Sequence, residues 1–188
     1  MKLSTVIFFC FTFGISNGQT SCWQHADTLN KGRFIGVTTG IATVWAGSMI
    51  GLGQVWYKGV EKSPWHSFDD SKNWLQMDKV GHFYAAYKIN HLTTNLFLWS
   101  GFDKHKSLWV SSGISFGYQF TFEMFDAYSS DWGFSWADLL SNTLGTGAYL
   151  TQHLIWDEER IIPKYSYHPT EFAAVRPSVL GSTPAEAF

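Results

Sequence analysis

Three short polar segments interrupt an apolar and aromatic stretch between residues 76 and 156: MDKVGHF at 77–83, QFTFEMFD at 119–126 and SWADLLSN at 135–142. On an α-helix, residues three or four positions apart lie on the same face. The spacing therefore predicts three helices that each carry a polar stripe. The stripes comprise Asp78 and His82; Gln119, Glu123 and Asp126; and Asp138, Asn142, Gly145, Tyr149 and Gln152.

These stripes either face water or face each other and form a site. Burying a carboxylate among apolar side chains is costly unless the group is paired or binds a cation. The stripes hold more acid than base, which favours a divalent metal, and a histidine among carboxylates suits zinc, manganese or iron better than calcium. The candidate metal ligands are Asp78, His82, Glu123 and Asp138. The candidate catalytic residues are His82, Glu123, Asp126 and Asp138, with Lys79, Gln119 and Asn142 as a structural polar core.

A purely structural interpretation stays open beside the metal site. In it, Asp78 and Asp138 cap their helices, Asp126 ends its helix facing water, and His82 hydrogen-bonds Glu123 as a polar core pair. The sequence lacks a nucleophile elbow, a P-loop, a Cys-x-x-Cys and a His-Glu-x-x-His motif. The remaining histidines of the mature helical region and tail have no partner at ligand spacing and are expected at the surface or at an interface: His66, His91, His105, His153 and His168.

Composition favours a bundle that associates with a membrane and has a polar interior. Aromatic residues make up 18% of the 188 residues and charged residues only 15%, where about 25% is usual for soluble domains. The mean hydropathy of -0.08 is nevertheless too low for a protein built from fully apolar spans. The net charge of -2, without any cluster of lysine or arginine, excludes a nucleic-acid-binding surface.

The N-terminus predicts export. Residues 1–18 have a positive Lys2, an apolar segment and small residues at Ser16-Asn17-Gly18, as expected of a cleaved signal peptide. The alternative is a lipoprotein signal that ends at Cys22, although Gln19 stands where that motif wants an aliphatic residue. Because Cys10 lies within the signal, Cys22 is the only mature cysteine, and an intrachain disulfide is excluded.

The first predicted helix, residues 34–57, carries no charge and is long enough to cross a bilayer. Its glycines Gly36, Gly40, Gly47 and Gly51 lie nearly on one side, where another helix can approach closely. The expected partners are therefore membrane lipid, another envelope protein or a second copy of this chain. The alternative is a buried glycine-rich helix of a soluble protein.

The remaining predicted helices cover residues 78–99, 107–127 and 135–156, the last with Ser135 as N-cap and Asp138 in a capping box. The predicted organisation is a signal peptide over residues 1–18, a helical bundle domain over 19–156 and an extended, proline-containing tail over 157–188.

The motifs that carry these side chains resemble a known family. The segments WLQMDKVGH (74–82), EMFD (123–126) and WGFSWAD (132–138), together with Asn142, are similar to the YfiM-like family of predicted periplasmic lipoproteins, a domain of unknown function. A looser likeness in spacing alone, Asp-Lys-x-x-His followed by Glu and then Asp-x-x-x-Asn, extends to VanZ-like membrane proteins. The resemblance implies an exported envelope protein and no particular reaction. Longer relatives in that family continue past the position of Phe188, so the resemblance also implies that the tail is truncated.

We therefore predict an exported, all-α, membrane-associated bundle of about four helices with a polar interior stripe. Two functional classes stay open. The first is a non-enzymatic envelope component that binds membrane or a partner. The second is a small membrane hydrolase or lipid- or cell-wall-modifying enzyme. Convergence of the three stripes on an accessible site would favour the enzyme.

Overall fold

The computed structural model describes residues 24–71 and 76–166. The predicted signal peptide, Cys22, the Trp74-Leu75 part of the first motif and residues 167–188 of the predicted tail lie outside the described residues. Predictions for those segments stay predictions.

The fold is all-α, as predicted, and consists of four helices arranged as a bundle. They are α1 (Lys31–Val55), α2 (Met77–Trp99), α3 (Lys104–Ala127) and α4 (Trp136–Trp156). Helix α3 begins three residues before the predicted position, because the Asp103 side chain accepts a hydrogen bond of 3.0 Å from the Lys106 backbone N–H and caps the helix there. Asn30 caps α1 in the same way through the Arg33 N–H.

The chain forms two compact units, residues 1–150 and residues 151–188, with the boundary inside α4. In the second unit, the Gln152 side chain organises the segment that follows the helix. Its Oε1 accepts hydrogen bonds from the Arg160 and Ile161 backbone N–H groups, at 3.0 and 2.6 Å. Its Nε2 donates to the Ile161 carbonyl.

Aromatic contacts show which helix ends lie together in the first unit. Near the start of α1, Phe34 packs against Phe97 at the end of α2 and against Phe102. Just after the end of α1, Tyr57 packs against Phe125 at the end of α3. The end of α1, the start of α2 and the end of α3 therefore lie at one end of the bundle, where the start of α4 joins them.

Two connectors meet at this same end. The segment after α1 and the segment between α3 and α4 form isolated bridges between Lys62 and Ser129 and between Ser67 and Phe134. Backbone hydrogen bonds such as Phe68 N–H to the Phe134 carbonyl, at 3.0 Å, join them. This pairing holds the connector residues over the start of α2 and α4.

The interior between α2, α3 and α4 is largely polar. Four residues of the predicted α4 stripe are buried there: Asp138, Asn142, Gly145 and Tyr149; the fifth, Gln152, is buried in the second unit. At Gly145 a Cβ atom would lie 2.2 Å from the Phe83 carbonyl oxygen, so glycine is needed for the close approach of α4 to α2. The predicted glycine side of α1 differs: apart from the adjacent residues and the backbone of α1 itself, no atom of the described residues lies within 4 Å of a Cβ built at Gly36, Gly40, Gly47 or Gly51.

Helix α1 is also the one helix of the described residues that is long and apolar enough to cross a membrane. Only Val37 and Met49 of its 25 residues are buried. Helix α1 is therefore largely exposed among the described residues, in contrast to the alternative of a buried helix.

Candidate functional site

Lys79, near the start of α2, lies at the centre of a buried cluster of carboxylates. Its Nζ atom is 2.5 Å from Asp70 Oδ2, 2.9 Å from Asp78 Oδ2 and 2.7 Å from Asp138 Oδ1. The Ser135 hydroxyl donates a further hydrogen bond of 2.7 Å to Asp70 Oδ1. Three segments of the chain, namely the first connector, α2 and the start of α4, are thus tied together by one ammonium group.

Asp70 belongs to the connector and was not among the predicted site residues. Burial raises the free energy of its charged form, but hydrogen bonds from Lys79 and Ser135 outweigh this and hold the pKa of Asp70 below its usual value. Neither helical periodicity nor a motif marks Asp70 in the sequence. The connector pairing alone brings it to the cluster.

His82 lies one turn after Asp78, with its ring between the three polar helices. On one side, Nε2 is 3.7 Å from Asp78 Oδ1 and 3.9 Å from Asp138 Oδ2. On the other side, Nδ1 is 3.2 Å from Asn142 Oδ1 and 3.6 Å from Glu123 Oε1. The ring therefore divides the site into an Nε2 side with two aspartates and an Nδ1 side with Asn142 and Glu123.

A chain of hydrogen bonds assigns the proton on the imidazole. Gln119 Nε2 donates to the backbone carbonyl of His82 at 3.4 Å and to Asn142 Oδ1 at 2.8 Å. With the Asn142 amide in this orientation Oδ1 is an acceptor, and the His82 Nδ1 atom facing it is assigned as the donor. In a neutral ring this leaves the lone pair of Nε2 directed toward Asp78 and Asp138.

Glu123 is the most completely buried carboxylate of the site, with 1% of its surface exposed. Its Oε2 accepts a hydrogen bond of 3.4 Å from the Ser135 backbone N–H. Its Oε1, which faces His82, has no hydrogen-bond partner among the described residues, and the same holds for Asn142 Nδ2. Two fully buried polar groups beside His82 are thus incompletely satisfied, a pattern that calls for a functional reason.

Asp126 does not face water, in contrast to the structural interpretation of the sequence. The Tyr57 hydroxyl donates a hydrogen bond of 2.5 Å to its Oδ1, and the carboxylate is only partly accessible. Burial, and then the hydrogen bond to Asp126, raise the pKa of the Tyr57 phenol, which therefore remains a donor at neutral pH. The structure places Asp126 beside Tyr57, near enough to His82, Asp78 and Asp138 for its charge to interact with theirs.

One predicted helix cap, Ser135, is confirmed, whereas Asp78 and Asp138 do not act as caps. Ser135 does cap α4, since its hydroxyl accepts a hydrogen bond of 3.1 Å from the Asp138 N–H. The reciprocal bond of a capping box is not made by Asp138, whose side chain turns to Lys79; the Ser135 N–H is bound by Glu123 instead. Asp78 does not cap α2 either, because the N-cap residue is Gln76.

The geometry assigns the predicted residues to different places in the site. Among the described residues, Asp78, His82 and Asp138 form the group whose ligand atoms all lie within 4.8 Å of one another, suitable for a metal ion. Glu123, a predicted ligand, lies on the Nδ1 side, and Lys79, Gln119 and Asn142 form the surrounding polar core. His66, expected at the surface or at an interface, is half-buried and is hydrogen-bonded through Nε2 to the Trp132 carbonyl at 2.6 Å.

Comparison with known proteins gives a family and no closer relative. No curated protein and no solved structure matches the chain. Residues 65–153, which hold every side chain of the cluster, match the family model described as predicted periplasmic lipoprotein (DUF2279). This match agrees with the resemblance seen in the sequence motifs and with export. Over residues 65–153 the chain is thus a match to the DUF2279 family of predicted periplasmic lipoproteins, and the protein is an exported, periplasm-facing protein of the cell envelope.

Proposed function

We propose that the protein is a small envelope hydrolase that works with a divalent cation held by His82, Asp78 and Asp138. The observation that carries this proposal is the position of His82 Nε2, whose lone pair faces two carboxylate oxygens at 3.7 and 3.9 Å. These distances are too long for direct hydrogen bonds. Two ligands of one tetrahedral ion, each at about 2.1 Å, lie about 3.4 Å apart, which is close to the observed spacing.

The Nδ1 side supports the same assignment. A histidine that binds a metal commonly donates its other ring N–H to a carboxylate or carbonyl, which fixes the tautomer and the orientation of the ring. Here Asn142 Oδ1 accepts that hydrogen and Glu123 lies just beyond it. Glu123 is therefore a positioning residue in this proposal and Asn142 sets the tautomer.

Charge also favours a cation. The cluster contains two basic side chains, Lys79 and His82, and five carboxyl groups: Asp70, Asp78, Glu123, Asp126 and Asp138. Uncompensated buried charge is strongly unfavourable, and a divalent ion reduces it. When bound, such an ion polarises a carbonyl or phosphoryl oxygen and activates a water molecule as nucleophile.

Access to the site and its surroundings point to a lipid-like or lipid-linked ester as substrate. The Asp78 side chain is 33% exposed, so a ligand can reach the Nε2 side of His82. Large aromatic side chains are exposed at the same end of the bundle, among them Trp65, Phe68 and Trp136. Such rings favour the headgroup region of a membrane.

A second candidate function is non-enzymatic, and the contacts of Lys79 favour it. Because this ammonium group already binds three carboxylates, the cluster could serve to lock the first connector onto α2 and α4. In that case the protein would present its aromatic end to a partner or a membrane. The two candidates differ in whether the Nε2 side of His82 binds an ion.

Hydrolysis of simple probes tests the enzymatic proposal. Purified full-length protein in detergent micelles is incubated with p-nitrophenyl butyrate or bis(p-nitrophenyl) phosphate, with added Zn²⁺ or Mn²⁺ or with EDTA. We expect cation-dependent release of p-nitrophenol that falls to background in His82→Ala and Asp138→Asn. His105→Ala, an exposed histidine at the opposite end of the bundle, should retain the rate. Equal rates in the wild type and His82→Ala would favour the non-enzymatic candidate.

A further inference from the structure

We infer that lipid hydrocarbon surrounds the outer faces of α1, α3 and α4, so that the bundle is embedded in a bilayer and not merely tethered to one. We call this outer surface the apolar belt, represented by Val44, Ile50, Trp109, Phe116, Leu140 and Leu144. These side chains are between 37% and 69% exposed. The inference is independent of any catalytic role of the site.

Helix α3 is inverted relative to a helix of a water-soluble protein. Its buried stripe includes Ser111, Ser115, Gln119 and Glu123, each four residues from the next. Every exposed residue between positions 107 and 125 is apolar or glycine, including Trp109, Phe116 and Phe120. In a soluble bundle the apolar stripe faces the core and the polar stripe faces water.

Helix α4 repeats this inversion in the first unit. Asp138, Asn142 and Thr146 are buried, whereas Leu140 and Leu144 are 59% and 55% exposed. In water, such an arrangement exposes the surface that is best buried and buries the groups that need hydration. In hydrocarbon both preferences reverse, because polar groups must then find partners inside the protein.

Three polar side chains on the outer surface find their partners within their own helices. The hydroxyls of Thr38 and Thr143 donate to the carbonyls of Phe34 and Leu139, at 2.9 and 2.8 Å. The exposed Asn95 amide donates to the His91 carbonyl at 2.9 Å. These bonds to a carbonyl four residues earlier satisfy the donors without water, as a surface in hydrocarbon requires.

Charged residues are distributed as expected for helices in a bilayer. In α1, α3 and the first unit's part of α4, charges are confined to the helix ends and to the buried cluster; Lys31, Arg33, Lys104 and Lys106 stand at one end. The exception in the described helices is Lys88 in the middle of α2. It is partly buried, and its ammonium lies 5.6 and 5.7 Å from the rings of Tyr84 and Tyr87, which shield it.

Helix length fits this environment. The four helices have 21 to 25 residues, or about 32 to 38 Å at 1.5 Å per residue, and the hydrocarbon core of a bilayer is about 30 Å thick. Only α1 is apolar enough on average to qualify as a span among the described residues. Helices α2, α3 and α4 do not qualify, because their buried polar stripes lower the mean hydropathy, which counts the residues on every face of the helix.

Spin-label accessibility tests the inference on the full-length protein. Cys10 and Cys22 are replaced by serine, and a nitroxide is attached to Phe116→Cys, Leu144→Cys or, as a control at the charged end of α3, Lys106→Cys. The protein is reconstituted into vesicles of phosphatidylcholine and phosphatidylglycerol. We expect labels at 116 and 144 to collide several-fold more with oxygen, which dissolves in lipid, than with the water-soluble reagent Ni-EDDA, and the label at 106 to show the reverse.

Two outcomes would overturn the inference. Greater collision with Ni-EDDA at 116 and 144 would place the belt in water, and exclusion of both reagents would mean that protein covers it. If the labelled variants do not fold, the wild type in vesicles of brominated phosphatidylcholine gives a second readout. The brominated lipid should quench the tryptophan fluorescence of the wild type more strongly than that of Trp109→Phe. Equal quenching of the two proteins would contradict embedding.

Discussion

The imidazole Nδ1 of His82 and the Oε1 atom of Glu123 lie 3.6 Å apart in a site where Glu123 is 1% exposed. This relationship links the last turns of α3 to the start of α2. The two residues therefore share one location, as the spacing of the polar stripes suggested. Because Asn142 Oδ1 accepts the hydrogen bond from Nδ1 at 3.2 Å, Glu123 Oε1 lies behind the ring at a distance too long for a hydrogen bond of its own.

Glu123→Ala should destabilise the protein by about 3 to 5 kcal/mol, the usual cost of removing one member of a buried pair. Glu123→Gln should cost clearly less, because an amide oxygen can still accept the Ser135 N–H. Thermal or denaturant unfolding in detergent measures both values. Glu61→Gln, an exposed position, is the control. Equal losses for the alanine and glutamine variants would instead make Glu123 a metal ligand, since an amide is a poor ligand.

Asp70→Asn should reveal a pH-dependent contribution of the Lys79 cluster. The pKa of Asp70 is lower in the folded state than in the unfolded chain, whose value is about 3.9. Its carboxylate therefore stabilises the fold above that pH, and the contribution is lost as the pH falls toward the folded-state pKa. The difference in melting temperature between wild type and variant should be largest near neutrality and should shrink in acid. A difference that stays constant down to about pH 3 would contradict this account of Asp70.

Tyr57→Phe should destabilise the end of the bundle where α1 meets α3. The lost hydroxyl donates to Asp126 at 2.5 Å, and a hydrogen bond to a charged group contributes about 1.5 to 3 kcal/mol. Tyr128→Phe is a matched control, because that ring is 50% exposed. A loss in Tyr57→Phe no greater than in the control would show that Asp126 is satisfied without this bond.

The N-terminus of the mature protein is a separate prediction, since the family match covers residues 65–153 only. If cleavage follows Gly18, the mature chain begins at Gln19, and Cys22→Ser leaves processing unchanged. Intact mass spectrometry of protein purified from membranes identifies the cleavage position directly. A diacylglyceryl group on Cys22 would support the lipoprotein alternative and refute cleavage at Gly18.

The sequence predicts the helices and the polar faces of this protein well, and it does so for a physical reason. Helical spacing records which residues share a face, so spacing alone places Gln119 with Glu123 and Asp138 with Asn142. Spacing does not record whether a polar face points inward. The direction follows only from the exposed residues of α3, such as Phe116, which are apolar.

Contacts made by the connectors could not be predicted. Asp70 reaches Lys79 because the first connector pairs with residues near Ser129 and Phe134, and this pairing has no periodic signature. Likewise, the sequence indicated Asp138 as part of a capping box, whereas Lys79 draws its side chain away and Glu123 takes the Ser135 N–H. In both cases a long-range charge prevails over a local pattern.

The metal content of the purified protein tests the central claim most directly. Full-length wild type, His82→Ala, Asp138→Asn and the control His105→Ala are loaded with Zn²⁺ or Mn²⁺, dialysed and measured by elemental analysis, with circular dichroism to verify folding. We predict about one ion per chain in the wild type and in His105→Ala, as expected of a single three-ligand site, and a loss of the ion in the other two variants. Equal metal content in the wild type and a folded His82→Ala, or no retained metal in the wild type, would contradict a cation site at His82, Asp78 and Asp138.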